Sequence, residues 1–260
     1  METKLNNLRN QLRKFNKRDI KRVRSQLFDR KTNNSRCWNK LQEIDKKFSI
    51  CKNIDVFLDV CGGPGEFAKY VMNVNPFVKG FGITLNNNPA CKYQRSLCNI
   101  KRFMQILGPN MSGNIMDKDV IFETSLLCGN VCDLVLADGA VDVSGRENEQ
   151  EMLNYDLILC ETQFILIALR TGGNCVLKVF DVFTQKTLNM LNNFVNHFET
   201  WGVFKPRSSR PANSEKYLIC LDKLEIPKNI DETKVLEKKF LFYTKKQCNS
   251  LKMLINNLKR

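Results

Sequence analysis

The sequence predicts an α/β protein with a mostly parallel central sheet, helices on both faces and an antiparallel hairpin at the sheet edge. Three observations carry that reading. Short apolar, β-rich runs alternate with stretches of helical periodicity, the pattern of strands joined by crossover helices. The first run ends in a glycine cluster, as a tight strand-to-helix turn requires. The last two runs follow one another with no helix between them, so they pair antiparallel.

In chain order, the first 34 residues form a basic arm. Leu5, Leu8, Leu12 and Phe15 recur at helical spacing, with Arg9, Arg13, Lys14, Lys17 and Arg18 in the other positions. Arg22, Arg24, Arg30 and Lys31 continue the charge. Two readings stand side by side: a surface helix with a solvated basic face, and an arm that guides RNA. VFLDV (56–60) is the first strand, followed by the glycines and the helical stretch EFAKYVMNV. VKGFGITL (78–85) is the second strand, and DLVLAD (133–138) is another, leading through a polar loop into a helical segment at 149–170. NCVLKVF (174–180), a helix around 184–195, and the hairpin of TWGVFKP (200–206) with KYLICLD (216–222) complete the sheet. Residues 223–260, with several Lys and spaced Leu, Ile and Phe, read as a helical tail. The expected division is therefore an arm (1–34), a main domain (35–222) and a tail (223–260).

At 260 residues the chain suits one large domain with extensions. It has no run of 18 or more apolar residues, so no membrane-spanning helix is expected. The start, METKLNNLRNQLRKF, lacks the apolar core of a secretory signal, which predicts an intracellular protein. The eleven cysteines are odd in number, and Cys61, Cys160, Cys175 and Cys220 lie in apolar runs where free cysteine acts as a small hydrophobe. Cys128 and Cys132 lack the second pair a zinc site needs, so a reducing compartment and no metal are expected. His197 is the only histidine and stands in the polar stretch NNFVNHFE, beside no nucleophile motif. A formal charge of +14 points to a polyanionic partner, because Lys and Arg neutralise phosphates and release counterions. The bland alternative is charge that serves solubility alone.

The glycine cluster reads Asp59-Val60-Cys61-Gly62-Gly63-Pro64-Gly65-Glu66-Phe67. Glycines there let the backbone approach a ligand closely, with the following helix N-terminus facing it. A nicotinamide enzyme would carry an acid about 20 residues further on to hold the ribose. That region is Ile83-Thr84-Leu85-Asn86-Asn87-Asn88, without an acid. The D-x-C-G-G-P-G-x-F form, with proline inside the loop, resembles instead the S-adenosylmethionine loop of the FtsJ-like family of RNA ribose methyltransferases.

Further stretches match that family in order. Ser35-Arg36-Cys37-Trp38-Asn39-Lys40 resembles the segment carrying its first catalytic lysine, and Ala137-Asp138-Gly139 the strand end with its aspartate. Arg170-Thr-Gly-Gly173 leads into Val176-Leu177-Lys178-Val179-Phe180, similar to the strand with the second lysine. Lys205-Pro206 and then Ser209-Arg210-Pro211-Ala212-Asn213-Ser214-Glu215-Lys216-Tyr217 resemble the closing segment with the glutamate. GFGITL, LADGAVDVSGRENEQE, RTGGNCVLKVFDVFT and SRPANSE are most similar to the cap-specific mRNA branch, and the small size resembles its baculoviral members. The resemblance covers about 35–222. It departs at Glu66, where a third glycine is common, and at Asn114-Ile115, which replace an Asp-containing adenine contact.

The resemblance implies a class I S-adenosylmethionine-dependent methyltransferase (Rossmann-like) fold. It implies Lys40, Asp138, Lys178 and Glu215 as catalytic residues. Cofactor contacts would come from Asp59, Cys61, Gly62, Gly63, Pro64, Gly65, Glu66, Phe67, Thr84, Asn114, Ile115 and Asp138. Contacts to RNA or the target ribose would come from Ser35, Arg36, Cys37, Trp38, Asn39, Asn148 and Asn213. Trp38 has two readings, a stacking platform for a base or a core residue. The implied cofactor is S-adenosylmethionine, leaving S-adenosylhomocysteine, with no metal required. The implied partner is the capped mRNA 5' end rather than a membrane, and the implied place is the nucleus (the host's, for a viral protein), or the cytoplasm. Ribosomal or transfer RNA 2'-O-methylation, and a non-catalytic RNA-binding module, are the alternatives.

Two lysines and two carboxylates suit removal of a proton from a ribose hydroxyl. As acceptor, Lys178 needs a pKa lowered by roughly 3 from about 10.4. Lys40, a sulfonium and burial push it down, whereas Asp138 and Glu215 push it up. The carboxylates therefore orient: Asp138 the amine of Lys178, Glu215 that of Lys40 and the ribose. Taken singly, Lys40 reads equally as a solvated helix residue and Asp138 as a turn former before glycine. A lysine inside an apolar strand, Lys178, is harder to explain without a role.

Overall fold

The computed structural model describes residues 1–29 and 32–259; Arg30 and Lys31 of the arm lie outside the described residues. Two helices open the chain, α1 (Glu2–Leu12) and α2 (Lys17–Phe28), followed by α3 (Arg36–Phe48). Then come β1 (Val56–Val60), α4 (Glu66–Val74), β2 (Lys79–Ile83), the short α5 (Arg95–Cys98), β3 (Phe103–Gln105) and α6 (Lys118–Cys128). The second half holds β4 (Cys132–Ala137), α7 (Gln150–Ala168), β5 (Leu169–Val179), α8 (Gln185–Val195), β6 (Phe198–Phe204), β7 (Lys216–Lys223) and α9 (Thr233–Leu258).

These strands form one seven-stranded sheet in the order β3-β2-β1-β4-β5-β7-β6. The first five run parallel, and β7 pairs antiparallel with both β5 and β6. The α/β architecture with its closing hairpin is thus as the sequence predicts, with β7 seated inside and β6 on the edge. β5 begins earlier than expected, at Leu169, because the Arg170–Gly173 turn is absorbed as an irregularity: Gly172 has φ 78° and the β4–β5 register shifts beside it. The short β3, α5 and α6 were not marked by the sequence patterns; β3 has three residues, too few to show alternation.

Strand periodicity sorts the side chains onto two faces. Leu58, Val60, Val135, Ala137, Leu177 and Val179 pack with helices α6, α7, α8 and α9. Phe57, Leu134, Leu136, Val176, Tyr217 and Ile219 pack with α3 and α4 on the other face. Every residue of β4 is buried, as expected for a parallel strand covered on both sides. The parity that puts Leu136, Val176 and Tyr217 toward α3 also puts Asp138, Lys178 and Glu215 there.

The two ends of the chain meet. Leu5 and Leu8 of α1 are buried against Cys248, Leu251 and Ile255 of α9, with Phe183 and Ala212 at the margin. Arg9 is 6% exposed and its guanidinium lies 2.6 Å from Asp181. All eleven cysteines are unpaired. Among the described residues no helix is long and apolar enough to cross a membrane.

Candidate active site

Four segments bring Lys40, Asp138, Lys178 and Glu215 to one point at the carboxyl ends of β4 and β5. Ser35 caps α3 by accepting from the Trp38 N–H at 3.1 Å, which sets the helix so that Lys40, Leu41 and Ile44 turn inward. The Lys40 ammonium donates to the Glu215 carboxylate at 2.9 Å. Lys178 donates to the backbone oxygen of Asp138 at 2.6 Å and lies 2.9 Å from Asp138 Oδ1 and 4.0 Å from Glu215 Oε2. Tyr217, directly opposite Lys178 in the β5–β7 ladder, donates its hydroxyl to Asp138 Oδ1 at 2.9 Å. Ser209 donates to the other oxygen of Glu215.

Two positive and two negative groups make a formally neutral cluster, so each buried charge has an opposite within reach. Glu215 is held down at about 2: burial raises it, but Lys40 and Lys178 prevail. Burial pulls the two ammonium groups down, yet Asp138 and Glu215 outweigh it, and both lysines lie above their ordinary value. With Asp138 and Glu215 beside it Lys178 is held as an ammonium, so it must lose that proton before it can act as a base.

The glycine loop lies beside this cluster at the end of β1. Asp59 is fully buried and neither carboxylate oxygen has a hydrogen-bond partner among the described residues; burial, then Asp138, pushes its pKa well up. A Cβ on Gly62 would stand 2.0 Å from that carboxylate, and one on Gly63 would stand 1.4 Å from the Cys91 carbonyl oxygen. Gly65, with φ 102°, starts α4 without a side-chain cap, leaving the first N–H groups of that helix for a ligand. Gly63-Pro64 is a cis peptide, and Cys61 adopts φ 53°. Thr84 Oγ1 accepts from the Gly63 N–H at 3.3 Å and donates to the Cys91 carbonyl at 2.9 Å, pinning the loop to the end of β2. Phe67 is buried against Tyr217, ring centroids 6.2 Å apart. Glu66 accepts from the Ser35 hydroxyl, which ties α4 to the start of α3. Asn114 accepts from the Met116 N–H at 3.1 Å, which leaves its NH₂ to donate, while Ile115 is buried.

The remaining residues implied for RNA are more dispersed. Cys37 is half-buried close enough to the cluster to feel its charges, and burial chiefly raises its thiol. Trp38 packs edge-on to Tyr70 at 5.3 Å, a core-side contact. Arg36 is exposed and 3.8 Å from Asp29. Asn39 donates to Thr32 Oγ1 at 3.0 Å and to the Asn34 carbonyl at 3.2 Å. Asn213 accepts from Lys205 at 2.7 Å, and Asn148 donates to Asn10 of α1 at 2.9 Å.

Three further residues support the cluster. Tyr217 is one. Glu161 of α7 is fully buried, accepts from the Gly139 N–H at 2.9 Å and is pushed up to about 8 by burial. Lys205 spends its ammonium on the Asn213 carbonyl, the Asn213 amide oxygen and the Glu215 carbonyl, and is lowered to about 7 by burial and then by Lys216. An acid inside the apolar run LILCETQFILIAL was the visible sign of Glu161. His197, by contrast, lines a groove of about 380 Å³ between α7 and α8 with no Asp, Glu or Cys in its wall. Among the described residues no group of three or more His, Cys, Asp or Glu is placed to hold a metal ion.

The profile of FtsJ-like methyltransferases matches residues 34–223. The chain is 56% identical over 260 residues to a cap-specific mRNA (nucleoside-2'-O-)-methyltransferase of Autographa californica nuclear polyhedrosis virus, covering 100% of this chain and 99% of that one. It is 36% identical over 194 residues to cap-specific mRNA (nucleoside-2'-O-)-methyltransferase 1 of Mus musculus, covering 70% of this chain but 23% of the longer mouse protein. A solved structure described as a ribosomal RNA methyltransferase from Plasmodium falciparum superposes with a TM-score of 0.51 at 25% identity, over 73% of this chain and 98% of that one. With the profile spanning every segment of the charged cluster and the glycine loop, this chain belongs to the FtsJ-like methyltransferase family.

Proposed function

We propose that this protein methylates the ribose 2'-oxygen of the first transcribed nucleotide of capped mRNA, converting a cap-0 end to cap-1. The observation that carries the reading is the meeting of Lys40, Asp138, Lys178 and Glu215 in one neutral cluster beside the glycine loop. Likeness to the viral cap-specific enzyme over the whole chain supplies the substrate class.

S-adenosylmethionine would supply the methyl group on a sulfonium, whose positive charge also disfavours the ammonium form of a nearby amine. The site fits such a group: unpartnered Asp59, glycines 62, 63 and 65 without side chains, and an uncapped helix start. Gly62 to Phe67, Cys61, Asp59, Thr84, Asn114, Ile115 and Asp138 are assigned to hold it.

Lys178 is assigned to accept the 2'-hydroxyl proton once its amine is neutral. Asp138, fixed by Tyr217, aims that amine, and Glu215 holds Lys40 against the ribose. Ser35 to Asn39, Asn148 and Asn213 are assigned to the RNA. Within the arm (1–34) the two earlier readings divide between the helices: α1 is docked, whereas Lys17, Arg18, Lys21 and Arg22 of α2 are exposed and lead toward Ser35, as an RNA guide requires. The domain (35–222) performs the transfer, and the tail (223–260) backs the arm. A nuclear site of action, where transcripts are capped, follows from the substrate.

The test is incubation with radiolabelled S-adenosylmethionine and capped or uncapped RNA of one sequence, then nuclease digestion. Label on the ribose of the first nucleotide, only in capped RNA, is expected. Equal labelling of uncapped RNA would move the assignment to transfer RNA or to ribosomal RNA, the latter being the substrate in the description of the Plasmodium structure. Label on the guanine base would overturn the reaction, and absence of cofactor binding by calorimetry would leave only an RNA-binding module.

A further inference from the structure

Three segments that carry the charged cluster are fastened to helices outside the family-matching span 34–223. The loop after Asp138 is held at Glu147, whose Oε2 accepts from Arg13 Nε and Nη2 at 3.1 and 2.8 Å, and at Asn148, which donates to Asn10 Oδ1 at 2.9 Å. The segment after Lys178 is held at Asp181 by Arg9 at 2.6 Å, and at Phe183, which packs on the α1–α9 cluster. The segment before Glu215 is held at Ala212, which packs on the same cluster and whose carbonyl accepts from Gln247 of α9 at 3.3 Å.

The segments are also tied to one another. Lys216 donates to the Phe180 carbonyl at 2.9 Å and to the Ser214 carbonyl at 2.7 Å, and Ser214 donates to Gln150. Of the residues assigned to the cofactor only Asp138 borders a tied loop: no hydrogen bond or ion pair joins α1 or α9 to residues 59–67, 84 or 114–115, or to Asp138 itself, among the described residues. A helix of eleven residues such as α1 is marginal alone in water, so its docking and the order of these loops form one equilibrium.

We propose that α1, backed by α9, is a clasp that sets the acceptor-RNA side of the site, with Arg9, Asn10 and Arg13 as positioning residues. This rests on the RNA 2'-O-methyl transfer proposed above. Loosening the clasp leaves the loops to be ordered when RNA binds, and that entropy is subtracted from RNA affinity rather than from cofactor affinity.

The test uses the full chain carrying Asn10→Ala and Arg13→Ala together, since both contacts are exposed and the fold keeps its core; Arg9→Ala strands a buried carboxylate and is the riskier variant. KM for capped RNA is expected to rise about tenfold, with kcat and cofactor Kd within about twofold of the parent. Arg13→Lys on the Asn10→Ala background should recover part of the loss. Amide hydrogen exchange should speed up at 139–149 and stay unchanged at 61–67. Unchanged exchange in that loop would overturn the clasp, as would cofactor affinity falling by the same factor as RNA affinity. Exchange is read without catalysis, so a parent protein that fails to methylate capped RNA sinks the function proposed above while the clasp is still decided.

Discussion

The two halves of the site are organised by different physics. At the end proposed for the cofactor, around β1 and β2, shape dominates: Gly62 and Gly63 have no room for a Cβ, and Asp59 sits buried without a partner. At the end proposed for the ribose, around β4, β5 and β7, charge dominates: four ionisable groups satisfy one another within 2.9 to 4.0 Å. A shape-built half is disturbed first by added volume. A charge-built half tolerates small changes of volume and responds to any change in proton count. Glu161 stands between them, accepting from Gly139 beside the cluster and lying behind Cys61 of the loop.

The sharpest way to break this division is Lys178→Ala. Loss of a positioned general base should lower kcat by about 10²- to 10⁴-fold, measured in single turnovers, while calorimetry shows cofactor still bound. A variant methylating at near the parental rate would remove Lys178 from the proton transfer. The parent itself should show kcat/KM climbing as pH rises from neutrality toward 9, because the free protein holds Lys178 as an ammonium.

Glu161→Gln probes the boundary. The folded pKa of about 8 lies above that of an unfolded glutamate, so folding binds a proton and the cost of this burial accumulates as pH rises from about 4.5 to 8. Glutamine keeps the acceptor for Gly139 without that cost. The variant should match the parent in thermal stability near pH 4.5 and exceed it at pH 8, by an amount on the order of a few kcal/mol. A difference independent of pH would show that Glu161 stays ionised in the fold.

Gly63→Ala tests the shape-built half. A methyl driven against the Cys91 carbonyl forces the loop aside, so cofactor Kd should rise by about tenfold or more, with the pH profile of the residual activity unchanged. A shifted profile would mean that the two halves are electrostatically one. The smallest effect is expected from Tyr217→Phe, which removes one hydrogen bond to Asp138: about a fivefold loss in kcat with cofactor Kd intact.

The same division governs what could be read in advance. The loop 59–67 was legible because its chemistry is local: a strand, glycines and a helix start lie within a few residues. Asp138 and Lys178 were legible as residues, through family order, and their shared face follows from strand period. Tyr217 stands in the closing segment two positions from Glu215, but nothing local shows its role, because its partner Asp138 is 79 residues away. The role of Lys205 is hidden in the motif, since its three acceptors become neighbours only when the 205–215 loop folds back.

By itself the sequence determined the strand and helix alternation, the closing hairpin and the identity of the acids and amines, because periodicity and turn chemistry act over short stretches of chain. Only the tertiary structure decided which of the arm's arginines is buried on Asp181 and which face water, and in which proton state Lys40 and Lys178 stand. The reason is Coulombic: a buried charge takes its state from groups a few ångströms away, and for Lys40 those groups are Asp138 and Glu215, the latter 175 residues along the chain.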